Sequence, residues 1–396
     1  MTKTDEIIQG FSRYVIANYT RIPVVIARGE GSRVWDVEGR SYLDLFPGWG
    51  VSAVGYSHPR VVEAVREQAG RLMHMPNNFY NELQGKLGEA IVERAFPSQC
   101  FFCNSGAEAV EGALKLARLV GEPDGRTEFI TMDASFHGRT FGAMSATAQP
   151  KYQEPFKPIV PGFHHVPFGD ADAVEAAMRD AVCAVLVEPI QGEGGVNVAP
   201  PEYFGRLREL CDASGALLMF DEVQTGCGRT GRWFGYQYLD VEPDAVTLAK
   251  ALGGGFPIGA IAVKTKYADA LRPGTHASTY GGSPLACAAA LAVFDVIESE
   301  RLLENVQRMG EHLRRRLDAL VEEFSFVTEA RGVGLMQGIA LKVPGAPIVS
   351  ACLERGLIVN CTAGSVVRFL PAYTVTAEEL DEGLDILHRV LGETEA

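Results

Sequence analysis

The chain has 396 residues, 47% of them hydrophobic, and its 50 acidic against 36 basic side chains give a formal net charge of −14. That length suits two domains with a large core, and the acidic excess argues against nucleic-acid or anionic-membrane partners. No apolar run, Cys183–Val187 and Cys287–Phe294 included, approaches the about 20 residues of a bilayer-spanning helix.

Met1–Gly10 carries Asp5 and Glu6 in place of the apolar core of a secretory signal. Eight cysteines in so long a chain do not suggest a disulfide framework, and a reducing cytosol is expected. Cys100 and Cys103 form one CxxC with no second pair at zinc spacing, so both are expected to be buried small hydrophobes, and no metal is expected.

Through the middle of the chain, short apolar runs predict buried strands at Phe129–Met132, Ala184–Val187, Ala216–Phe220, Ala245–Leu248 and Ala260–Val263. Helix-period segments such as Tyr203–Ala213 lie between them, which implies an α/β fold with a largely parallel sheet. Towards the carboxyl end, Arg301–Phe324 and Glu378–Leu391 place leucines at helical spacing. With the opening segment they predict a smaller α+β domain. The expected division is 46–284 for the large domain, and 1–45 with 285–396 for the small one.

Ligands of such a sheet bind beyond the carboxyl ends of its strands. Ser105-Gly106-Ala107, after Phe101-Phe102 and before helical Glu108–Val120, is an anion cradle or a capping box of Ser105 with Glu108. Taken alone, the capping box is the better reading. Asp221 follows a strand, where a buried carboxylate needs a cation or donors: a pyridinium nitrogen, a helix N-cap or a structural ion pair. Lys250, after Thr247-Leu248-Ala249 and before a glycine run, is poorly solvated, which favours the neutral nucleophilic amine. A lysine near glycines is by itself usually a surface residue. In Phe136-His137-Gly138-Arg139-Thr140, Phe136 is a stacking platform or a core aromatic, and Arg139 a carboxylate clamp or a solvated cation. Gly332-Val333-Gly334-Leu335-Met336-Gln337-Gly338 has one glycine misplaced for a dinucleotide fingerprint and fits a small-domain strand between permissive glycines better.

With Asn104–Ala109, Phe136–Thr140, Glu188-Pro189-Ile190-Gln191-Gly192-Glu193-Gly194-Gly195, Asp221–Gly226, Ala249–Gly255 and Ser278–Gly282 in this order and spacing, the chain resembles the class III (ornithine/acetylornithine-type) aminotransferases of PLP fold type I. The resemblance runs over nearly the whole length. It implies a mostly parallel seven-stranded sheet, pyridoxal 5′-phosphate (PLP) as cofactor, and a homodimer with shared active sites. Lys250 would carry the cofactor and shuttle the proton, Asp221 would pair with its ring nitrogen, and Gln224 would approach the ring hydroxyl. Ser105, Gly106 and Ala107 would hold the phosphate, with Thr279 given by the neighbouring subunit. Phe136 would stack on the ring, and His137, Glu188 and Val223 would complete the cofactor's surroundings.

On the substrate side, the resemblance gives Arg139 the far carboxylate, Arg368 the α-carboxylate of glutamate, and Glu193 the role of neutralising Arg368 while the amino donor is bound. Ser278 and Trp49 are expected beside the substrate. Arg28–Gly31, Ser145–Gln149, Pro161–Phe163 and Gly356-Leu357-Ile358-Val359-Asn360 resemble the acetylornithine branch. That branch implies ping-pong transfer, through pyridoxamine phosphate, from the terminal amine of N2-acetylornithine to 2-oxoglutarate in arginine biosynthesis. Succinylornithine, ornithine or 4-aminobutyrate are alternative donors; an aminomutase, a racemase or a nicotinamide enzyme are remoter ones. Two departures stand out: Phe46-Pro47-Gly48-Trp49-Gly50 replaces a small-residue stretch, and Ser283 stands where the family often has Asn.

Overall fold

The computed structural model describes residues 2–395; Met1 and Ala396, the ends of the expected terminal domain, lie outside the described residues. After a helix at Lys3–Tyr14, strands Ile26–Glu30 (β1), Arg33–Asp36 (β2) and Ser41–Asp44 (β3) form an antiparallel meander. The central sheet follows. Its strands are Ser98–Cys103 (β4), Glu128–Met132 (β5), Phe163–Val166 (β6) and Val182–Val187 (β7), and then, past a short hairpin of Ile190–Gln191 (β8) and Asn197–Val198 (β9), Leu217–Asp221 (β10), Ala245–Leu248 (β11) and Gly259–Lys264 (β12).

These seven strands run in the order β4-β12-β11-β10-β7-β5-β6. Only β12 is antiparallel to its neighbours β11 and β4. The expected sheet is therefore present, and all five strands predicted from apolar runs lie in it. Strand β6, Phe-His-His-Val at the sheet's edge, carries too little apolar character for that signal.

Every residue of β7 and β10 is buried, because helices cover both faces of the sheet. Side chains of a strand alternate between faces. Leu217 and Met219 pack with Ala109, Ala113 and Leu116 of helix Gly106–Gly121, while Leu218 and Phe220 pack with Phe204 and Leu207 of helix Pro201–Ser214. Helix Pro284–Ser299 lies against helices Pro59–Arg71 and Glu82–Val92 and against the turn Lys250–Gly253.

Beyond it, helix Leu302–Glu323 packs on Val327–Val333 (β13) and Met336–Leu341 (β14). Leu357–Ile358 (β15) pairs in parallel with β3, so both ends of the chain share one sheet. Asn360–Thr362 (β16) and Val366–Phe369 (β17) complete a second sheet in the order β13-β14-β17-β16. The glycine-rich 332–338 segment is the β13–β14 hairpin. Gly332 and Gly334 have φ of +122° and +56°, and a Cβ on Gly332 would lie 2.0 Å from the Met336 carbonyl oxygen. That turn excludes the dinucleotide reading. The last helix, Ala377–Glu395, includes the predicted 378–391 segment. Among the described residues, no helix is long and apolar enough to cross a membrane.

Candidate active site

Beyond the carboxyl ends of β7, β10 and β11 lies a cavity of about 440 Å³, into which the segment after β4 also leads. Of the residues singled out from the sequence, Ser105, Gly106, Ala107, Phe136, His137, Arg139, Glu188, Glu193, Asp221, Val223, Gln224 and Lys250 line it. Residues that are far apart in sequence thus line one cavity, among them a carboxylate, an amine and a helix start.

Ser105 is the N-cap of helix Gly106–Gly121, and its hydroxyl accepts the Glu108 N–H at 3.2 Å. The capping box is offset by one residue. The Glu108 carboxylate accepts from the backbone and side-chain nitrogens of Asn104, at 2.6 and 2.8 Å, and not from Ser105. The two readings of Ser105 are compatible, because a hydroxyl that accepts from the helix still has a proton to donate. Gly106 and Ala107 occupy the first turn, where backbone N–H groups have no helical partner and the dipole favours an anion. A Cβ on Gly106 would sit 2.8 Å from Val223 Cγ1, so this helix start approaches the β10 loop as closely as it does because residue 106 has no side chain.

Asp221 is buried at the end of β10. Its Oδ1 accepts from the Val223 N–H at 3.0 Å and the Thr247 hydroxyl at 3.1 Å, and its Oδ2 pairs with His137 Nδ1 at 2.7 Å. It is not a helix N-cap. Burial opposes a charge on the His137 ring, but the hydrogen bond to Asp221 and the charges of Asp221 and Glu188 outweigh it, so its pKa is raised. The His137 backbone N–H is held by the Thr147 hydroxyl at 2.8 Å, and its buried Nε2 has no hydrogen-bond partner among the described residues. Glu188 accepts from the backbone N–H groups of Phe136 (3.2 Å) and Gly192 (3.4 Å), and burial pushes its carboxyl up to about 7.

Lys250 opens the turn after β11 with φ +45°, a left-handed backbone that costs a long L side chain roughly 1 kcal/mol or more and gathers at functional sites. Burial lowers its pKa, against the opposing pull of Glu193 and Asp221, which favours the neutral amine. Phe136 stands edge-on to Tyr152, and the Arg139 guanidinium lies 3.7 Å from the centre of the Tyr152 ring.

Four expected residues do not line the cavity. Arg368, in β17, is fully buried and bonds two residues that do: its Nη1 donates to Glu193 Oε1 at 2.8 Å and to Gln224 Oε1 at 3.4 Å. Trp49, expected at the substrate, has φ +60° and is half exposed; it meets the site through Phe46, edge-on at 5.7 Å, whose ring lies 4.8 Å from the Arg368 guanidinium. Ser278 accepts at its hydroxyl from Nδ2 of Asn104, at 3.1 Å, and it is Asn104 that lines the cavity. Thr279 is exposed, away from this cavity. Ser283 is the N-cap of helix Pro284–Ser299 without a side-chain cap bond. Sequence reasoning missed Thr147 and Thr247, which hold His137 and Asp221, and Asn360, which accepts from Arg368. Only strand pairing and loop packing bring these groups to the site.

The family profile described as Aminotransferase class-III matches residues 14–391. An acetylornithine aminotransferase from Gloeobacter violaceus is 50% identical over 387 residues, 96% of each chain. One from Methanocaldococcus jannaschii is 47% identical over 386 residues, again 96% of each chain. A solved ornithine aminotransferase from Toxoplasma gondii, with partial occupancy of PLP at its active site, superposes with TM-score 0.92 at 36% identity, covering 98% of this chain and 94% of that one. The chain belongs to the class III aminotransferases.

Proposed function

We propose that this protein is a PLP-dependent transaminase that moves the terminal amino group of N2-acetylornithine to 2-oxoglutarate, giving N-acetylglutamate semialdehyde and glutamate. The observation that carries the proposal is the single cavity in which Asp221, Lys250 and the start of helix Gly106–Gly121 converge. The residues fit the cofactor's chemistry. A buried carboxylate suits a protonated ring nitrogen, a helix start suits the phosphate, and an amine of lowered pKa suits the aldehyde. Ser105, Gly106 and Ala107 would hold the phosphate, Asp221 the ring nitrogen, and Gln224 and Phe136 the ring's edge and face, with His137, Glu188 and Val223 around them. When bound, PLP supplies a carbonyl carbon for amine exchange and an electron sink conjugated to it.

The chain's own residues do the rest. His137 fixes one Asp221 oxygen, while Val223 and Thr247 fix the other, so the carboxylate keeps its direction. Lys250 Nζ, whose burial favours the neutral amine, would take a proton from the donor carbon and give it to the cofactor's former carbonyl carbon, two bonds away across the nitrogen. Arg139 meets the donor's far carboxylate. Glu193 neutralises Arg368 while the donor is bound and gives it up to the α-carboxylate of 2-oxoglutarate, so one pocket serves two substrates in turn.

The curated relatives' acetylornithine activity supports this donor over succinylornithine, ornithine and 4-aminobutyrate. The chain is further proposed to work in the cytoplasm as a homodimer. Thr279, exposed beside exposed Tyr280, would complete a partner's phosphate site, and the exposed apolar side chains of Phe79, Tyr80 and Trp49 would be covered. The division into a 46–284 domain and a terminal 1–45 with 285–396 domain belongs to the same reading. The test is bleaching of the cofactor absorbance by each of the four donors. Acetylornithine is expected to give the highest kcat/KM; a lead by another donor overturns the substrate assignment, and no bleaching by any overturns the reaction.

A further inference from the structure

A buried arginine that must trade one carboxylate for another needs something to hold its orientation during the exchange. Arg368 lies in β17 between Gly338 of β14 and Asn360 of β16, each directly across from it in the strand register. Cross-strand neighbours of this kind stand about 5 Å apart, within side-chain reach. Asn360 Oδ1 accepts from both Arg368 Nε, at 3.2 Å, and Nη2, at 2.9 Å. The Phe46 ring covers the guanidinium face at 4.8 Å. Glu193 is its one anionic partner among the described residues, and it meets only Nη1.

We propose that Asn360 is a positioning residue that clips one flank of the Arg368 guanidinium and, being neutral, leaves its charge for the incoming dicarboxylate. With Nε and one Nη2 proton engaged, Nη1 and the outer Nη2 proton form a two-donor edge, which matches a carboxylate bidentately once Glu193 withdraws. The amide carbonyl is the functional choice here. A carboxylate in its place would bond Arg368 at least as well but would cancel the positive charge in both halves of the reaction. This inference rests on the proposed function and assigns a specificity role to a residue outside the cavity lining.

That difference separates positioning from plain structural support. If Asn360 served only to satisfy a buried arginine, Asn360→Asp would be tolerated, with a melting temperature at or above the wild type. The experiment uses purified holoenzyme of the wild type, Asn360→Asp and Asn360→Ala. Its readouts are the melting temperature, the acetylornithine half-reaction followed by cofactor absorbance, KM and kcat for 2-oxoglutarate, and direct titration with glutarate, a non-reacting dicarboxylate. Asn360→Asp is expected to raise the KM for 2-oxoglutarate and the Kd for glutarate about 10- to 100-fold, the worth of a hydrogen-bonded charge. The donor half-reaction and the melting temperature should hold.

Asn360→Ala should weaken glutarate binding less, again sparing the donor. Wild-type glutarate affinity in Asn360→Asp, or equal loss in both half-reactions, overturns the proposal. Should the aspartate variant fail to fold, an alanine variant with unchanged glutarate affinity overturns it equally. The wild-type donor half-reaction tests the function on which the inference rests, and the glutarate titration tests Asn360 without any turnover.

Discussion

Replacing Glu193 by glutamine keeps the shape of the Arg368 partner and removes its charge. The pair is 2.8 Å apart, with Arg368 fully buried and 22% of the Glu193 side chain exposed. Coulomb's law at an effective dielectric of about 20 gives roughly 6 kcal/mol at that separation. Solvent contact at Glu193, and the neutral hydrogen bond that glutamine retains, bring the difference down to about 1.5 kcal/mol, a factor of about ten.

The sign differs between the two substrates. 2-Oxoglutarate no longer has to displace an anion from Nη1, so its Kd is expected to fall about tenfold. The donor, whose reacting end bears no carboxylate, now leaves Arg368 unneutralised, and its kcat/KM is expected to fall by about the same factor. Stopped-flow absorbance measures each half-reaction separately on one enzyme preparation. Movement of both half-reactions in the same direction, or an unchanged ratio, would refute the exchange of partners at Arg368.

Lys250→Ala should still bind the cofactor, retained through gel filtration, while turnover falls by at least roughly 10²- to 10⁴-fold, the worth of a positioned acid–base group. Gly106→Ala places a methyl 2.8 Å from Val223 Cγ1, and the cofactor Kd, read by equilibrium titration, should rise about tenfold as the helix start shifts. Arg229, fully buried, donates to the carbonyls of Gly50, Leu335 and Pro371 and so ties the two ends of the chain to the β10 loop. Arg229→Met should cost at least about 3 kcal/mol in denaturant unfolding by stranding those acceptors. Burial pushes Glu222, which accepts from the Gly235 and Tyr236 N–H groups, up to about 7. The folded chain therefore holds a proton that the unfolded chain has released, and this contribution to stability is lost as pH rises from about 4.5 to about 7. Glu222→Gln should abolish that part of the pH slope in urea titrations.

The sequence alone determined the buried strands and the chemistry waiting at their ends. Runs such as Leu217–Phe220 are apolar because both faces are covered, and a carboxylate or an amine immediately after such a run, as at Asp221 and Lys250, is costly enough to signal use. Helices Leu302–Glu323 and Ala377–Glu395 were legible for the same reason, since each must bury one stripe. Edge strand β6 was not, because its two histidines break the apolar run and one side of the strand has no neighbour.

The tertiary structure alone decided which polar groups serve one another. Asn360 meets Arg368 through strand register, His137 meets Asp221 across 84 positions, and Trp49, half exposed on a left-handed backbone, stands edge-on to Phe46. Burial is a property of each residue and its near neighbours, so periodicity records it. A hydrogen bond between distant residues depends on the register and packing of whole elements, and no local pattern carries that information.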